Sequence, residues 1–178
     1  AGDFSGRSLP RIVSSDLQRA RTGAEIIAQK LGTDPVECFS FLREKDNGKA
    51  AGLNKKEALA FYHPPVTGRE LDHVNYDGGE TRRTFYERTI RGFRGLEEPD
   101  RDLIIVSHKG TIQNILFAWL GLSIEEVAEK KISFDIRPAS LTVLGMNKWG
   151  EHAVFVLNDT SYQWKKGPMG IFNFPFGA

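Results

Sequence analysis

The sequence predicts an α/β fold in a single domain, with a mostly parallel sheet and helices on both faces. Short apolar runs alternate with stretches of helical periodicity along the chain, which is the pattern of that fold class. The run 103–106, Leu-Ile-Ile-Val, is typical of a parallel strand buried on both faces. A chain of 178 residues suits one domain with a sizeable core. We place that domain at residues 1–164, followed by a Gly-, Pro- and Phe-rich tail over 165–178.

The first elements follow from local signals near the start of the chain. Residues 9–13 are apolar and predict a strand or its end. The polar residues 14–16 are all suitable helix caps. Apolar side chains then recur at helical spacing over 17–31, and Gly32 is expected to end that helix.

The middle of the chain is less regular. The segment 36–61 is mixed, but Asn54 and Glu57 form the pattern of a capping box before a short helix. Residues 66–80 are polar and rich in turn formers, which predicts a long surface loop. A charged helix is expected over 81–94.

The same signals predict the remaining elements. After the strand at 103–106 we expect a turn at 107–110, a helix over 111–120 ending at Gly121, a capping box from Ser123 to Glu126, and strands near 141–144 and 153–157.

Charge and composition exclude several classes of protein. The formal net charge is +1, so nucleic acid and anionic membranes are not expected as partners. Cys38 is the only cysteine, which excludes an intramolecular disulfide and suits a reducing compartment. The sequence has no apolar run of membrane-spanning length and its first residues do not resemble a signal peptide. We therefore expect a cytoplasmic protein.

Two strand-turn-helix junctions are candidate sites, because ligands of α/β sheets bind beyond the carboxyl ends of the strands. At 14–21, a helix start with Arg19 in its first turn suits an anion; the alternative is a solvated helix start with ordinary surface arginines. At 107–111, His108 suits proton transfer or phosphate contact, and Gly110 allows close approach of a ligand. The alternative is a hydrogen-bonded histidine that merely ends a strand.

A third candidate is Glu44, within Leu-Arg-Glu-Lys-Asp-Asn-Gly at 42–48. A carboxyl group beside a phosphate site can protonate a leaving alcohol, whereas the alternative is a surface Arg-Glu pair. The other histidines, His63, His73 and His152, show no metal-ligand spacing. We expect neither a metal nor a cofactor.

Several motifs in a fixed order resemble one known family. They are Ser14–Arg21 followed by Ala24–Ala28, Leu42–Gly48 followed by Gly52-Leu53, Gly78-Gly79-Glu80, Ile105–Ile112 followed by Leu120-Gly121-Leu122, Pro138-Ala139-Ser140 and Leu157–Ser161. Together they resemble the histidine phosphatases of the phosphoglycerate mutase-like superfamily, over roughly residues 11–162. Each motif alone is unspecific, but the ordered set is specific.

The resemblance implies a role for each matching residue. Arg19 and His108 would hold the phosphoryl group of a small phosphorylated substrate, with Lys109 and Gly110 beside them. Glu44 would protonate the leaving oxygen. The reaction would be hydrolysis of a phosphomonoester through a phosphohistidine, without a metal. Phosphoglycerate mutase activity is the alternative within the family.

The sequence also departs from the family pattern. The family's first block, a central strand ending in Arg-His-Gly with the nucleophilic histidine, does not occur in the 178 residues. We expect that an upstream segment carries it; the alternative is a relative without a nucleophile that only binds phosphorylated ligands. Without that strand, its neighbours in the sheet would carry unpaired backbone groups.

Smaller departures are Gly23, Lys109 and Tyr162, where the family commonly has threonine, glycine and histidine. In the tail, Phe172, Phe174 and Phe176 alternate with other residues. We expect these rings to pack on the domain or on a partner subunit, as in a homodimer, and the alternative is a disordered end.

Overall fold

The computed structural model describes residues 9–67, 70–96 and 101–163. The chain divides into two compact units, residues 1–133 and 134–178, which are described separately. The predicted tail over 165–178 and its three phenylalanines lie outside the described residues, so that prediction stays open. Among the described residues, no helix combines the length and apolar composition needed to cross a membrane.

The first unit is built on a parallel sheet connected by helices. Its strands are β1 (Arg11–Ser15), β2 (Glu37–Phe39) and β3 (Leu103–Val106), and its helices are α1 (Gln18–Leu31), α2 (Lys55–Ala58), α3 (Arg82–Arg94), α4 (Lys109–Trp119) and α5 (Ile124–Lys130). The strand order is β2-β1-β3, and both pairings are parallel. The predicted fold class, α/β with a mostly parallel sheet, is confirmed.

Helix α1 packs on the sheet through small side chains. Ala20, Ala24 and Ala28 are spaced by four residues and are buried on one face. The helix ends at Gly32, which adopts a left-handed conformation with φ +68°. The helix and its end are as predicted, but the predicted cap is wrong, since Leu17 occupies the N-cap position without a side-chain hydrogen bond.

Three other helix starts follow the local signals. The capping boxes predicted from Asn54 to Glu57 and from Ser123 to Glu126 are present at α2 and α5. Thr81 caps α3 with its own box, although a threonine replaces the usual acid at the third helical position. The helix predicted over 81–94 is therefore confirmed.

Strand β3 departs from its prediction in burial. All four of its side chains are only half-buried, whereas most of β1 is buried. Among the described residues β3 pairs with β1 alone and lies at an edge of the three-stranded sheet. A continuous apolar run thus identified the strand correctly but overstated its burial.

The segment predicted as a surface loop contains no helix or strand in its described parts, 66–67 and 70–80. It is nevertheless anchored. Leu71 is buried and its carbonyl accepts the N–H of Arg83, while the carbonyl of Asn75 accepts the N–H of His63. These contacts hold part of the loop against the rest of the unit.

The second unit contains an antiparallel pair, β4 (Leu141–Met146) and β5 (His152–Asp159). Both predicted strands are confirmed, each somewhat longer than expected. The connecting turn is stabilised by Asn147, whose side-chain oxygen accepts the N–H groups of Trp149 and Glu151.

Candidate active site

The carboxyl ends of β1 and β3 lie side by side in the sheet and bring two predicted junctions together. Ser15 ends β1, and His108 precedes α4 as its N-cap residue. Nε2 of His108 lies 2.9 Å from Oγ of Ser15, and both residues are buried. Parallel strands place their carboxyl ends at one edge, so this meeting follows from the topology.

The surroundings of His108 favour its neutral form. Burial lowers the pKa of the imidazole, and the positive charge of Arg19 lowers this pKa further. The carboxylates of Glu44 and Asp16 oppose the shift without reversing it. A bound anion would favour the charged form of this imidazole, so anion binding and proton uptake at His108 are linked.

Arg19 lies in the first turn of α1, and its side chain is exposed. A cation at a helix N-terminus opposes the helix dipole, so helix stability does not account for this residue. Within the described part of the chain, its guanidinium has no ion-pair partner, and its charge acts on His108. The first-turn N–H groups and Arg19 together suit an anionic ligand.

The loop that carries Glu44 is fixed to the junction between β3 and α4 by two hydroxyl groups. Oγ of Ser107 donates to the carbonyl of Leu42 at 2.7 Å. Oγ1 of Thr111 donates to the carbonyl of Arg43 at 2.8 Å. The backbone just before Glu44 is thereby held against the strand end that carries His108.

The Glu44 carboxylate is fixed by two backbone N–H groups. Gly110 donates to Oε2 at 3.0 Å, and Lys45 donates to Oε1 at 2.9 Å. A Cβ atom on Gly110 would overlap Oε1 of Glu44 and lie 2.9 Å from Cε1 of Phe85. Gly110 therefore permits the close approach of the Glu44 side chain, whereas the close approach of a ligand stays a prediction.

Glu80 and Arg88 form contacts with the Glu44 loop that the sequence did not predict. Glu80 accepts the N–H of Asp46 at 2.9 Å and pairs with Arg88 through Nε at 2.7 Å. Arg88 also donates to the carbonyl of Phe41 at 2.9 Å. Burial alone would raise the pKa of Glu80, but the hydrogen bonds from Arg88 and Asp46 bring this pKa below its ordinary value.

The glycines at 78 and 79 allow the segment before Glu80 to lie close to the loop at Asp46. Gly78 has φ +72°, and a Cβ atom on Gly79 would lie 2.9 Å from the carbonyl oxygen of Asp46. The Gly-Gly-Glu motif thus lets two loops pack closely before α3 begins.

Asp16 is a further residue that the sequence offered only as a helix cap; it pairs instead with Arg43.

Lys109 lies between His108 and Gly110, whereas the three other histidines belong to other segments of the chain. Lys109 is exposed at the first position of α4. Nε2 of His63 lies 2.7 Å from Asp77, and Nε2 of His73 donates to the carbonyl of His63. His152 begins β5 in the second unit. Over the described ranges, no three His, Cys, Asp or Glu side chains are grouped as metal ligands would be.

A cavity of about 370 Å³ opens beside Glu44 and Gly110. Its wall combines two aromatic rings with several polar and charged side chains. The lining residues are Glu44, Lys45, Pro65, Glu70, His73, Asn75, Arg82, Phe85, Gly110, Gln113, Asn114 and Phe117. Its volume is in the range of small-molecule sites.

Comparison with known proteins gives one family model and one curated relative. The family model of the histidine phosphatase superfamily, branch 1, matches residues 1–160. Phosphoglycerate mutase-like protein 4 of Arabidopsis thaliana is 27% identical over 114 residues, which is 61% of this chain. The match covers 50% of that relative, so the chain spans about half the length of this curated relative.

Solved structures give a longer match. A mycobacterial glucosyl-3-phosphoglycerate phosphatase, in complex with inorganic phosphate, is 27% identical with a TM-score of 0.62. The match covers 83% of this chain and 76% of that one. The alpha-ribazole phosphatase of Shigella flexneri has a TM-score of 0.67 at 19% identity, covering 85% of this chain and 74% of that one, which shows a shared fold alone.

Proposed function

This chain belongs to the histidine phosphatase superfamily, branch 1, and we propose that its protein hydrolyses a phosphomonoester of a small metabolite through a phosphohistidine intermediate. The observation that carries the proposal is the fixed Glu44 carboxylate next to His108. Two backbone N–H groups hold that carboxylate, and Gly110 leaves room for it. A positioned carboxyl group beside an anion site can transfer a proton to a leaving oxygen.

In the proposed reaction, Arg19, His108 and the N–H groups at the start of α1 bind the phosphoryl oxygens. A nucleophilic histidine forms a bond to phosphorus as the ester P–O bond breaks. Glu44, as the protonated carboxyl group in the substrate complex, gives its proton to the departing oxygen and becomes the carboxylate. In the second step water attacks phosphorus, Glu44 takes the proton from that water, and the histidine leaves.

The nucleophile is not assigned to any residue of this chain. The 178 residues contain no Arg-His-Gly triplet, and His108 has the role of a phosphate ligand in the proposal. The chain would thus supply the phosphate contacts and the proton donor. The likeness to a mycobacterial phosphatase at 27% identity supports hydrolysis.

Two other functions are each favoured by one observation. The likeness to a phosphoglycerate mutase-like protein, together with Gly-Leu-Asn-Lys at 52–55, favours phosphoryl transfer back to a bound product. The phosphate contacts proposed for Arg19 and His108, at the starts of α1 and α4, would equally serve a domain that binds phosphorylated ligands without turnover.

Assays on the full-length protein separate these functions. We expect phosphate release from small phosphomonoesters to exceed isomerisation of phosphoglycerate, and His108→Ala to lower that release at least about tenfold. His63→Ala is the matched control, because the His63 side chain is exposed and pairs with Asp77. Isomerisation as the main activity would favour the mutase. Inorganic phosphate binding without any turnover would favour the binding domain.

A further inference from the structure

The cavity beside Glu44 has a cationic part that the proposed chemistry does not use. Glu44 and Gly110 form the side of the cavity next to the phosphate contacts, and Phe85 contributes an aromatic surface. Lys45 and Arg82 also line the cavity. A leaving group whose oxygen receives the Glu44 proton would therefore extend toward two positive charges.

None of the contacts among the described residues accounts for the position of Arg82. Its side chain is half-buried, yet among the described residues no acceptor binds its guanidinium. The next residue, Arg83, is paired with both Asp72 and Glu125. As the first residue of α3, Arg82 also opposes the helix dipole. Burial is the cause that lowers its pKa, with no carboxylate acting against it.

Lys45 adds a second charge to the same wall. Its Nζ donates to Oδ1 of Asn75 at 3.0 Å, which uses one of its three N–H bonds. Burial lowers the pKa of Lys45; the carboxylate of Glu80 opposes this shift, and the charge of Arg82 adds to it. Partial burial of two cations that repel each other costs free energy in the unliganded protein. A bound anion would lower this cost by pairing with both side chains.

The remaining charged groups of the cavity already have partners. The carboxylate of Glu70 accepts the N–H of Thr67 at 2.6 Å. Nε2 of His73 donates to the carbonyl of His63 at 2.8 Å. These two side chains thus shape the cavity beside the cationic pair.

We propose that Lys45 and Arg82 form a second anion-binding subsite, which holds a carboxylate or phosphate group on the leaving group of the substrate. This inference rests on the proposed function, because it takes the leaving oxygen to lie at Glu44. The substrate class is then a small phosphomonoester with a second anionic group. Lys45 directly follows Glu44 in the chain, so the subsite and the proton donor share one loop.

Binding of non-hydrolysable ligands to the full-length protein tests the subsite without any turnover. The ligands are phosphonoalkanoates and terminal bisphosphonates with two to four carbons, each compared by calorimetry with the alkylphosphonate of equal length. We expect the best doubly anionic ligand to bind at least about tenfold more tightly than its matched alkylphosphonate. Whether the carboxylate or the second phosphonate series gives the larger gain identifies the second anion.

Arg82→Gln should remove this preference while leaving the affinity for the alkylphosphonate unchanged. Arg83→Gln is the matched control and should keep the preference, because Arg83 does not line the cavity. Lys45→Gln provides a second variant on a different element. Equal affinities in the wild type, no detectable binding of any ligand, or a preference that survives both Arg82→Gln and Lys45→Gln would overturn the subsite.

The two proposals fail in different ways. A protein that shows the preference but releases no phosphate from any monoester would refute the phosphatase and support the subsite. A protein that hydrolyses monoesters without the preference would refute the subsite alone.

Discussion

Asp16 and Arg43 form a two-point ion pair, with Nε of Arg43 2.6 Å from Oδ1 of Asp16 and Nη2 2.7 Å from Oδ2. The hydrogen bonds from Arg43 hold the pKa of Asp16 below its ordinary value, although partial burial acts in the other direction. Asp16 follows β1, and Arg43 directly precedes Glu44. The pair therefore joins the proposed phosphate-binding junction to the loop of the proposed proton donor.

Asp16→Asn should lower the turnover rate more than it lowers stability. The Arg43 side chain is about half exposed and that of Asp16 is half-buried, so solvent screens the pair and it contributes at most about 1 kcal/mol to folding. Since it positions the Glu44 loop, we expect roughly a tenfold loss in kcat with little change in KM. Arg21→Gln, which breaks the exposed pair with Glu25, is the control. An equal loss in both variants would contradict a positioning role.

Glu44→Gln should be most harmful for substrates whose leaving group needs a proton. For alkyl phosphates we expect a loss of about 100-fold or more, the usual contribution of a positioned general acid. For p-nitrophenyl phosphate the loss should be much smaller, because nitrophenolate departs without protonation. The measurement is kcat/KM across a series of esters. An equal loss for all esters would show that Glu44 is not the proton donor.

Sulfate binding should take up a proton at His108. Burial and Arg19 lower the pKa of His108, so the free imidazole is mostly neutral at pH 7, and a bound dianion raises this pKa again. Affinity should therefore rise as pH falls from about 8 to 5.5, by at most about tenfold per pH unit. Sulfate is suitable because it remains a dianion throughout this range.

The groups facing His108 are Ser15, Arg19, Glu44 and Asp16. A variant is therefore needed to assign the proton. Calorimetry in buffers of different ionisation enthalpy measures proton uptake directly, and His108→Gln should abolish it. His63→Gln, at an exposed ion pair, should leave it unchanged. Uptake that persists in His108→Gln would assign the proton to another group.

Local signals in the sequence were enough to place most elements. The alanines of α1, the capping box from Asn54 to Glu57, and the apolar run of β3 act over a few residues, so a single chain reveals them. The helix start after β1 was misassigned because its polar residues have distant partners. Ser15 faces His108 and Asp16 binds Arg43, and neither contact leaves a local pattern.

In the candidate site, too, residues with local sequence signals could be predicted, whereas contacts between distant segments could not. Arg19 and His108 could be placed from strand-turn-helix junctions, whose chemistry is local. The contact between Glu80 and Arg88 could not be predicted, nor could the place of Arg82 in the cavity wall, because each depends on which loops meet in space. Half-burial of β3 likewise depends on its position in the sheet and not on its own composition.

Gly110→Ala should reduce activity without a matching loss of stability. The added methyl group would overlap Oε1 of Glu44 and crowd Cε1 of Phe85 at 2.9 Å. The Glu44 side chain is the more mobile neighbour, so it moves first and leaves the position of the proposed proton donor. Alanine is also favoured over glycine inside a helix by about 0.5–1 kcal/mol, which offsets part of the crowding.

Gly23→Ala in α1 is the matched control, because its Cβ would meet only Cγ1 of Val106 at 4.0 Å, an ordinary contact. We expect Gly23→Ala to raise the melting temperature slightly with unchanged kcat. For Gly110→Ala we expect kcat to fall by roughly 10-fold to 100-fold, with a melting temperature close to that of the wild type. If Gly110→Ala unfolds the protein or leaves kcat intact, the close approach of Gly110 does not serve to position Glu44.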